Sequence, residues 1–431
     1  MANTLTADDP RYARMFNVTA EALESSGHLV GDLSPQLNAL RDAAPAMKGS
    51  LLDLLHLPAI HQAYNCEREH YALLSFDLVE RGFRDNMLFT SKVYDESPGV
   101  LAFGNSILRM IGDEHRRYRA VVQPMFLKPK AMSWWRPQLI DGAVDTLVSR
   151  FEDWDTVDLN MELCARLPVH VVTRMIGMDG EDALHFRENL HISTVGLRGR
   201  PEEEVRAAAG EVARMLKALI VQRREEPGED VISALATNDF QQADGTSRKL
   251  TDDEVFGYCR LIMLAGGGTT WRQLGITIWA LMTHYEFWEA CRDDRTLIEK
   301  AVEEGARWLP TDPTFPRLMA EDVEVGGITI PKGARVDLCV GSANRDPARW
   351  EHPDRYDIFR KPKHHVGFGL GPHQCLGMNV AKQEMISALN ALMDRFPTMI
   401  LDPDAPPPTV QGGLHQRGLT SIPIRLRPKA A

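Results

Sequence analysis

Cysteine is scarce. The 431 residues include six, Cys66, Cys164, Cys259, Cys291, Cys339 and Cys375, with no C-x-x-C pair and no dense framework. Such spacing excludes a disulfide-stapled scaffold and fits reduced thiols in a cytosol. Runs of basic residues are missing too, and the formal charge is −11. Neither nucleic acid nor an anionic membrane is therefore expected as the main partner. Met1 to Arg14 lacks an apolar core and includes Asp8, Asp9 and Pro10, so neither a signal peptide nor a membrane anchor is expected there. A cytoplasmic location follows. No serine-rich or glycine-rich linker, low-complexity segment or internal repeat divides the chain. One large domain over 1–431 is predicted, in place of the about three that length alone suggests. With 44% hydrophobic and 25% charged residues the composition is ordinary for a globular protein, and flexibility is expected only near the termini, chiefly over about the first 20 residues.

Helix formers dominate the first 310 residues and extended segments punctuated by proline and glycine follow, which predicts a mainly α fold with small β-sheets. Amphipathic helices are expected over 136–235, broken at Gly177, around Gly196, Gly199 and Pro201, and at Pro227-Gly228. Thr251-Asp252-Asp253-Glu254 is a capping box. The helix it opens is expected to reach about His284, on the order of 50 Å away. Its middle, Leu264-Ala265-Gly266-Gly267-Gly268-Thr269-Thr270, holds three glycines, which cost a helix roughly 1 kcal/mol each relative to alanine. Close helix packing, a kink or a function must offset that cost. Between Leu297 and Leu309, Leu297, Ile298, Ala301, Val302, Trp308 and Leu309 form an apolar arc, with Glu304 at its edge and Arg307 three residues on. A carboxylate there needs a partner, and that spacing provides one. Val323 to Ile330 alternates about Gly326-Gly327, a hairpin signal. A terminal hairpin is expected between Gly412 and Leu426, carrying Arg417 to Thr420 toward a pocket.

The most specific stretch is Phe368-Gly369-Leu370-Gly371-Pro372-His373-Gln374-Cys375-Leu376-Gly377. Met385, Leu389, Leu392 and Phe396 recur at helical spacing after it, so the cysteine arrives at a helix N-terminus. Backbone N–H groups and the helix dipole favour the thiolate there. Read from residues alone, the cysteine is a buried thiol in a glycine turn, a metal ligand, or part of a zinc site with His364, His365 and His373, whose spacing suits no compact zinc knuckle. The loop resembles the haem-thiolate loop of cytochrome P450 enzymes at each fixed position. Blocks similar to that family continue in order from about residue 60 to 426.

The resemblance implies a P450 fold with one haem b, Cys375 as the axial thiolate, and Phe368, Gly369 and Gly377 shaping the loop around the porphyrin. His373, the pair His115 and Arg119, and Arg317 are implied as donors to the haem propionates. A solvated basic helix face is the plain alternative for the pair. Thr269 matches the hydroxyl that contacts dioxygen, with Thr270 beside it. Gly268 stands where the family usually has an acid, so the usual proton-relaying side chain is absent. Glu304 and Arg307 match a structural ion network completed by a later arginine, placed at Arg355, with Arg360 a nearby competitor. The implied reaction is O2- and NAD(P)H-dependent monooxygenation of a small, largely apolar substrate, with electrons from a separate ferredoxin and ferredoxin reductase. A non-hydroxylating oxidation, a peroxide-driven one, or a non-catalytic haem sensor are the alternatives. Pocket residues are expected from the loop 92–107, the lid 190–204, Met263 to Thr270, Thr311 to Pro316 and the terminal hairpin.

Overall fold

The computed structural model describes residues 29–57, 67–96, 106–178, 180–194 and 200–427, together with 10, 11 and 15. In chain order, the helices that frame the site are α1 (Phe76–Arg84), α2 (Gly112–Val122), α3 (Asp141–Ser149), α4 (Leu167–Met175), α5 (Gly180–Thr194), α6 (Glu202–Glu225), α7 (Asp252–Thr283), α8 (Leu297–Trp308) and α9 (Met378–Arg395). Cys66, most of the first 20 residues, 97–105 of the expected roof loop and 195–199 of the expected lid lie outside the described residues.

Helix α7 organises the rest. Thr251 caps it as expected: its hydroxyl accepts the Glu254 N–H at 3.3 Å, and the Glu254 carboxylate accepts the Thr251 N–H at 2.7 Å. The helix then runs 32 residues, about 48 Å at 1.5 Å per residue. It stays helical through the glycines. Leu261, Ile262, Met263, Trp271, Leu274, Ile276, Ile278 and Leu281 are all buried. Each contributes roughly 1.5–3 kcal/mol on burial, which outweighs the glycine cost. Close packing accounts for only one of those glycines. A Cβ at Gly266 would stand 3.0 Å from Val172 of α4, whereas at Gly267 and Gly268 the nearest atoms would be 3.9 and 3.5 Å away. Helices α4, α6, α8 and α9 pack around α7 in one large apolar core.

A smaller core lies under a five-stranded sheet ordered Ala46–Lys48, His70–Leu73, Arg335–Leu338, Phe315–Met319, Phe89–Thr90. The second and third strands are parallel and the others antiparallel. The hairpin of Val323–Val325 and Ile328–Ile330 forms as expected, Gly326 and Gly327 taking φ of 60° and 80°, values that favour glycine. The chain end differs from expectation. Val410–Gly412 pairs with Gly418–Leu419, while Pro423–Arg425 leaves to join Thr156–Asp158 and Ile400–Leu401. Arg417 is buried and donates to the carbonyls of Gly412 and Gly413 at 3.1 and 2.9 Å. It therefore ties the turn together, while Gln416 and Gly418 approach α7, at Gly268 and at Arg272. Among the described residues no helix is long and apolar enough to cross a membrane.

Candidate active site

The loop before α9 is built by glycine geometry. Gly369 and Gly371 take φ of 64° and 68°, and a Cβ at Gly371 would stand 2.7 Å from the Phe83 carbonyl oxygen at the end of α1. The loop closes with the Cys375 N–H donating to the Phe368 carbonyl at 2.9 Å. Arg119 of α2 clamps it, donating to the carbonyls of Pro372 and Gln374 at 2.9 and 2.7 Å. Cys375 thus sits two residues before the helix N-cap Gly377. Its thiol is solvent-accessible although it lies deep within protein atoms; a group lining an internal cavity meets both conditions. Burial pushes the thiol pKa up, while a backbone N–H from Gly377 and the charges of Arg119 and Lys382 pull it down.

The middle of α7 is also exposed to the interior. Ala265 is exposed and Thr269, one turn later, is half-buried, although their helix is otherwise packed into the core. The Thr269 hydroxyl donates to the Ala265 carbonyl at 3.0 Å. Thr270, about 100° further round the helix, is buried away from this face. No side chain stands at Gly268. The position is flanked instead by Arg272, whose Nη1 donates to the Gly268 carbonyl at 2.5 Å, and by the amide of Gln416. Arg272 is wholly buried over the Trp271 ring and its stem fills the space left by Gly418. A lone arginine in the apolar run Trp271 to Ile278 was the only sequence signal for it.

Beside the cysteine loop, imidazoles and guanidiniums converge. The rings of His115 and His373 lie 4.1 Å apart. Burial, then Arg119, lowers His115 to about 4. Burial, then the charges of His115, Arg317 and Arg119, lowers His373 to about 2. Both rings are therefore neutral, and His115 Nε2 is buried without a hydrogen-bond partner. Arg317 is buried, its guanidinium 5.3 Å from the Phe83 ring centre and one nitrogen on the Pro316 carbonyl at 2.8 Å. A dianion held among these groups would satisfy the orphaned nitrogen and favour charged imidazoles. Gly377 points the same way: its φ is not positive and a Cβ there would meet nothing within 4 Å. Neither backbone nor protein packing requires glycine, whereas a flat group lying against the loop would. The residues fit a porphyrin with two carboxylates and a thiolate ligand. A zinc reading does not fit, because His364 faces Arg349 and Glu80, and His365 faces Glu303; no metal-holding cluster of these residue types occurs among the described residues.

The ion network forms behind the loop with one correction. Arg307 grips Glu304 through two hydrogen bonds of 2.7 Å, both residues buried. The second arginine is Arg360, 3.2 Å from Glu304 Oε1, and not Arg355. Arg355 is exposed and contributes only its carbonyl, which accepts from Arg307 at 3.0 Å and from Arg360 at 3.0 Å. The chain turns irregularly here, so register did not specify which arginine faces inward. A groove of about 640 Å³ opens beside this network, lined by Glu303, Arg307, Phe368, Gln374, Met378 and Lys382. It lies at the cysteine loop and does not include Thr269 or Ala265.

Comparison with known proteins agrees with this geometry. A family model described as Cytochrome P450 matches residues 190–426. Nocardicin C N-oxygenase of Nocardia uniformis is 32% identical over 92% of this chain and 95% of its own. The 6-deoxyerythronolide B hydroxylase of Saccharopolyspora erythraea is 32% identical over 72% of this chain and 76% of its own. A Bacillus megaterium P450 solved with testosterone superimposes with a TM-score of 0.78 at 27% identity, covering 92% of this chain and 100% of that one. The Bacillus subtilis P450 of bacillaene polyketide synthase gives 0.80 at 25% identity, covering 92% and 97%.

Proposed function

Because this chain belongs to the cytochrome P450 family and is a P450 monooxygenase, we propose that it inserts one oxygen atom from O2 into a small organic molecule. Electrons come from NAD(P)H through a ferredoxin and ferredoxin reductase on separate chains, in the cytoplasm. The observation that carries this proposal is the accessible Cys375 in its glycine loop before α9, together with the exposure of Ala265 and the partial exposure of Thr269 in a helix otherwise packed into the core.

Cys375 would hold the iron of haem b, and Arg119, Arg317, His115 and His373 would hold its carboxylates. Bound there, haem supplies the redox-active iron at which O2 is activated, with the thiolate favouring O–O cleavage. Arg offers a carboxylate a planar fork, and each neutral imidazole has one N–H to donate to it. Phe368, Gly369 and Gly377 keep the loop close and the Gly377 N–H on the sulfur, which stabilises the thiolate. The one O–H of Thr269 is held by the Ala265 carbonyl, so its hydroxyl offers lone pairs to a neighbouring water, and with no acid at Gly268 protons can arrive only by way of water. Glu304, Arg307 and Arg360 hold the fold beside the loop and take no part in proton transfer. The groove beside Phe368 and Lys382 offers a donor protein a place close to Cys375.

Gly268, flanked by Arg272 in place of an acid, favours one second reading: a non-hydroxylating or peroxide-driven oxidation. The two are separated by measuring NADH turnover with surrogate ferredoxin partners beside turnover with hydrogen peroxide. Partner-dependent, product-coupled turnover is expected. Turnover with peroxide alone would replace the first reading by the second. In Cys375→Ala the thiolate-type Soret band of the reduced carbonyl complex should vanish; a variant retaining it would mean that another residue holds the iron.

A further inference from the structure

The chain beside Gly268 is more polar than a largely apolar substrate requires. The loop 310–314 after α8 is sewn to the turn 414–417. The Arg417 N–H donates to the Thr311 carbonyl at 2.6 Å, and the Thr311 hydroxyl donates to the Arg417 carbonyl at 2.7 Å. Asp312 completes the seam, its Oδ1 accepting the Gln416 N–H at 2.7 Å. That bond helps hold Gln416 at a φ of 50°, a left-handed conformation that costs a non-glycine residue free energy and marks an over-determined site. The Gln416 amide in turn reaches the position a side chain at Gly268 would take, within 4.0 Å. Asp312 is thus tied through Gln416 to the stretch of α7 around Gly268.

We propose that the substrate carries a cationic nitrogen and that Asp312 selects it. The inference rests on the cavity being the substrate site of the reaction proposed above. Charge matching is the main argument. Arg119, Arg317, His115 and His373 answer the two carboxylates of the haem. Arg335 is paired with Asp337 at 3.0 Å, and Arg417 with backbone carbonyls. Asp312 is half-buried and, among the described residues, has no ion pair. One backbone N–H leaves most of its acceptor capacity unmet. A partly desolvated carboxylate in that state is stabilised by a cation and repels an anion. His415, next along the turn, adds a second acceptor. Its ring donates to the Thr314 carbonyl, and burial lowers its pKa against the pull of Asp312 and Asp337; in its neutral form the other nitrogen can accept from an ammonium.

The test uses the haem-loaded full chain and three probes of equal length: protonated N,N-dimethyldodecylamine, dodecanol and dodecanoate. Binding is read by calorimetry and by the Soret shift. The amine should bind wild type about ten-fold or more tightly than dodecanol, with dodecanoate weakest, as expected for a charge-assisted hydrogen bond. Asp312→Asn keeps the acceptor for Gln416 and removes the charge; with haem content retained, it should shrink the amine preference to about two- or three-fold. Equal or tighter binding of dodecanol or dodecanoate to wild type overturns the proposal, as does an undiminished amine preference in Asp312→Asn. Should that variant fail to fold, the ranking in wild type decides. Loss of the thiolate-type carbonyl spectrum would instead refute the haem-thiolate assignment, which keeps the two failures apart.

Discussion

Replacing Glu304 by glutamine should unfold the protein early and leave the chemistry untouched. In the native chain Glu304 accepts two hydrogen bonds from Arg307, one from Arg360 and the Asp357 N–H at 3.0 Å. Arg307 is 1% exposed and Glu304 6%, so the pair is shielded from water. Glutamine keeps one acceptor but turns an NH2 group toward donors and leaves two guanidiniums with carbonyl oxygens alone. Removing one partner of a buried pair typically costs about 3–5 kcal/mol. The unfolding entropy of 431 residues is about 0.9 kcal/mol per kelvin at roughly 2.1 cal/mol/K per residue. The melting temperature should fall by about 3–6 °C, read by calorimetry on haem-loaded protein. Arg360→Ala should fall in the same direction. Arg355→Ala should stay within about 0.5 kcal/mol of wild type, because its side chain is exposed and outside the network. Glu304→Gln melting within about 1 °C of wild type would refute the structural role, and a stable, haem-replete, inactive variant would assign Glu304 to catalysis.

Glu384 of α9 is 3% exposed with Oε2 unpartnered, and burial raises it from 4.5 to about 8. Its folded form keeps the proton while the unfolded chain loses it, so its contribution to stability is full below pH 4.5 and is lost as pH rises toward about 8. Glu384→Gln should accordingly melt close to wild type at low pH and above it, by up to a few kcal/mol, at pH 8; parallel pH profiles would contradict this. Gly377→Ala meets no protein atom and no backbone strain, so the apoprotein should melt as wild type while haem occupancy drops; full occupancy would mean that the loop does not lie against the porphyrin. In Thr269→Ala substrate binding should persist while reducing equivalents are diverted to hydrogen peroxide, measured as product per NADH consumed. Coupling equal to wild type would remove the hydroxyl from the proton route.

What the sequence determined by itself is local. The capping box at Thr251, the length of α7, the Glu304–Arg307 pair and the cysteine loop each depend on residues within a turn or two of one another, where helix periodicity and glycine's freedom dictate geometry. The mainly helical fold was legible for the same reason. Tertiary structure alone decided which arginine meets Glu304, because Arg355 and Arg360 lie on an irregular stretch with no periodicity to orient them. It also decided that the terminal strands part company and that Arg417 turns inward to carbonyls. The polar wall was beyond sequence reasoning: Asp312 and Gln416 meet across 104 residues, and Arg272 reaches Gly418 only because that residue lacks a side chain. Contacts between distant segments follow from how the whole core packs, and an unmatched charge becomes visible only once every neighbour that could match it has been placed.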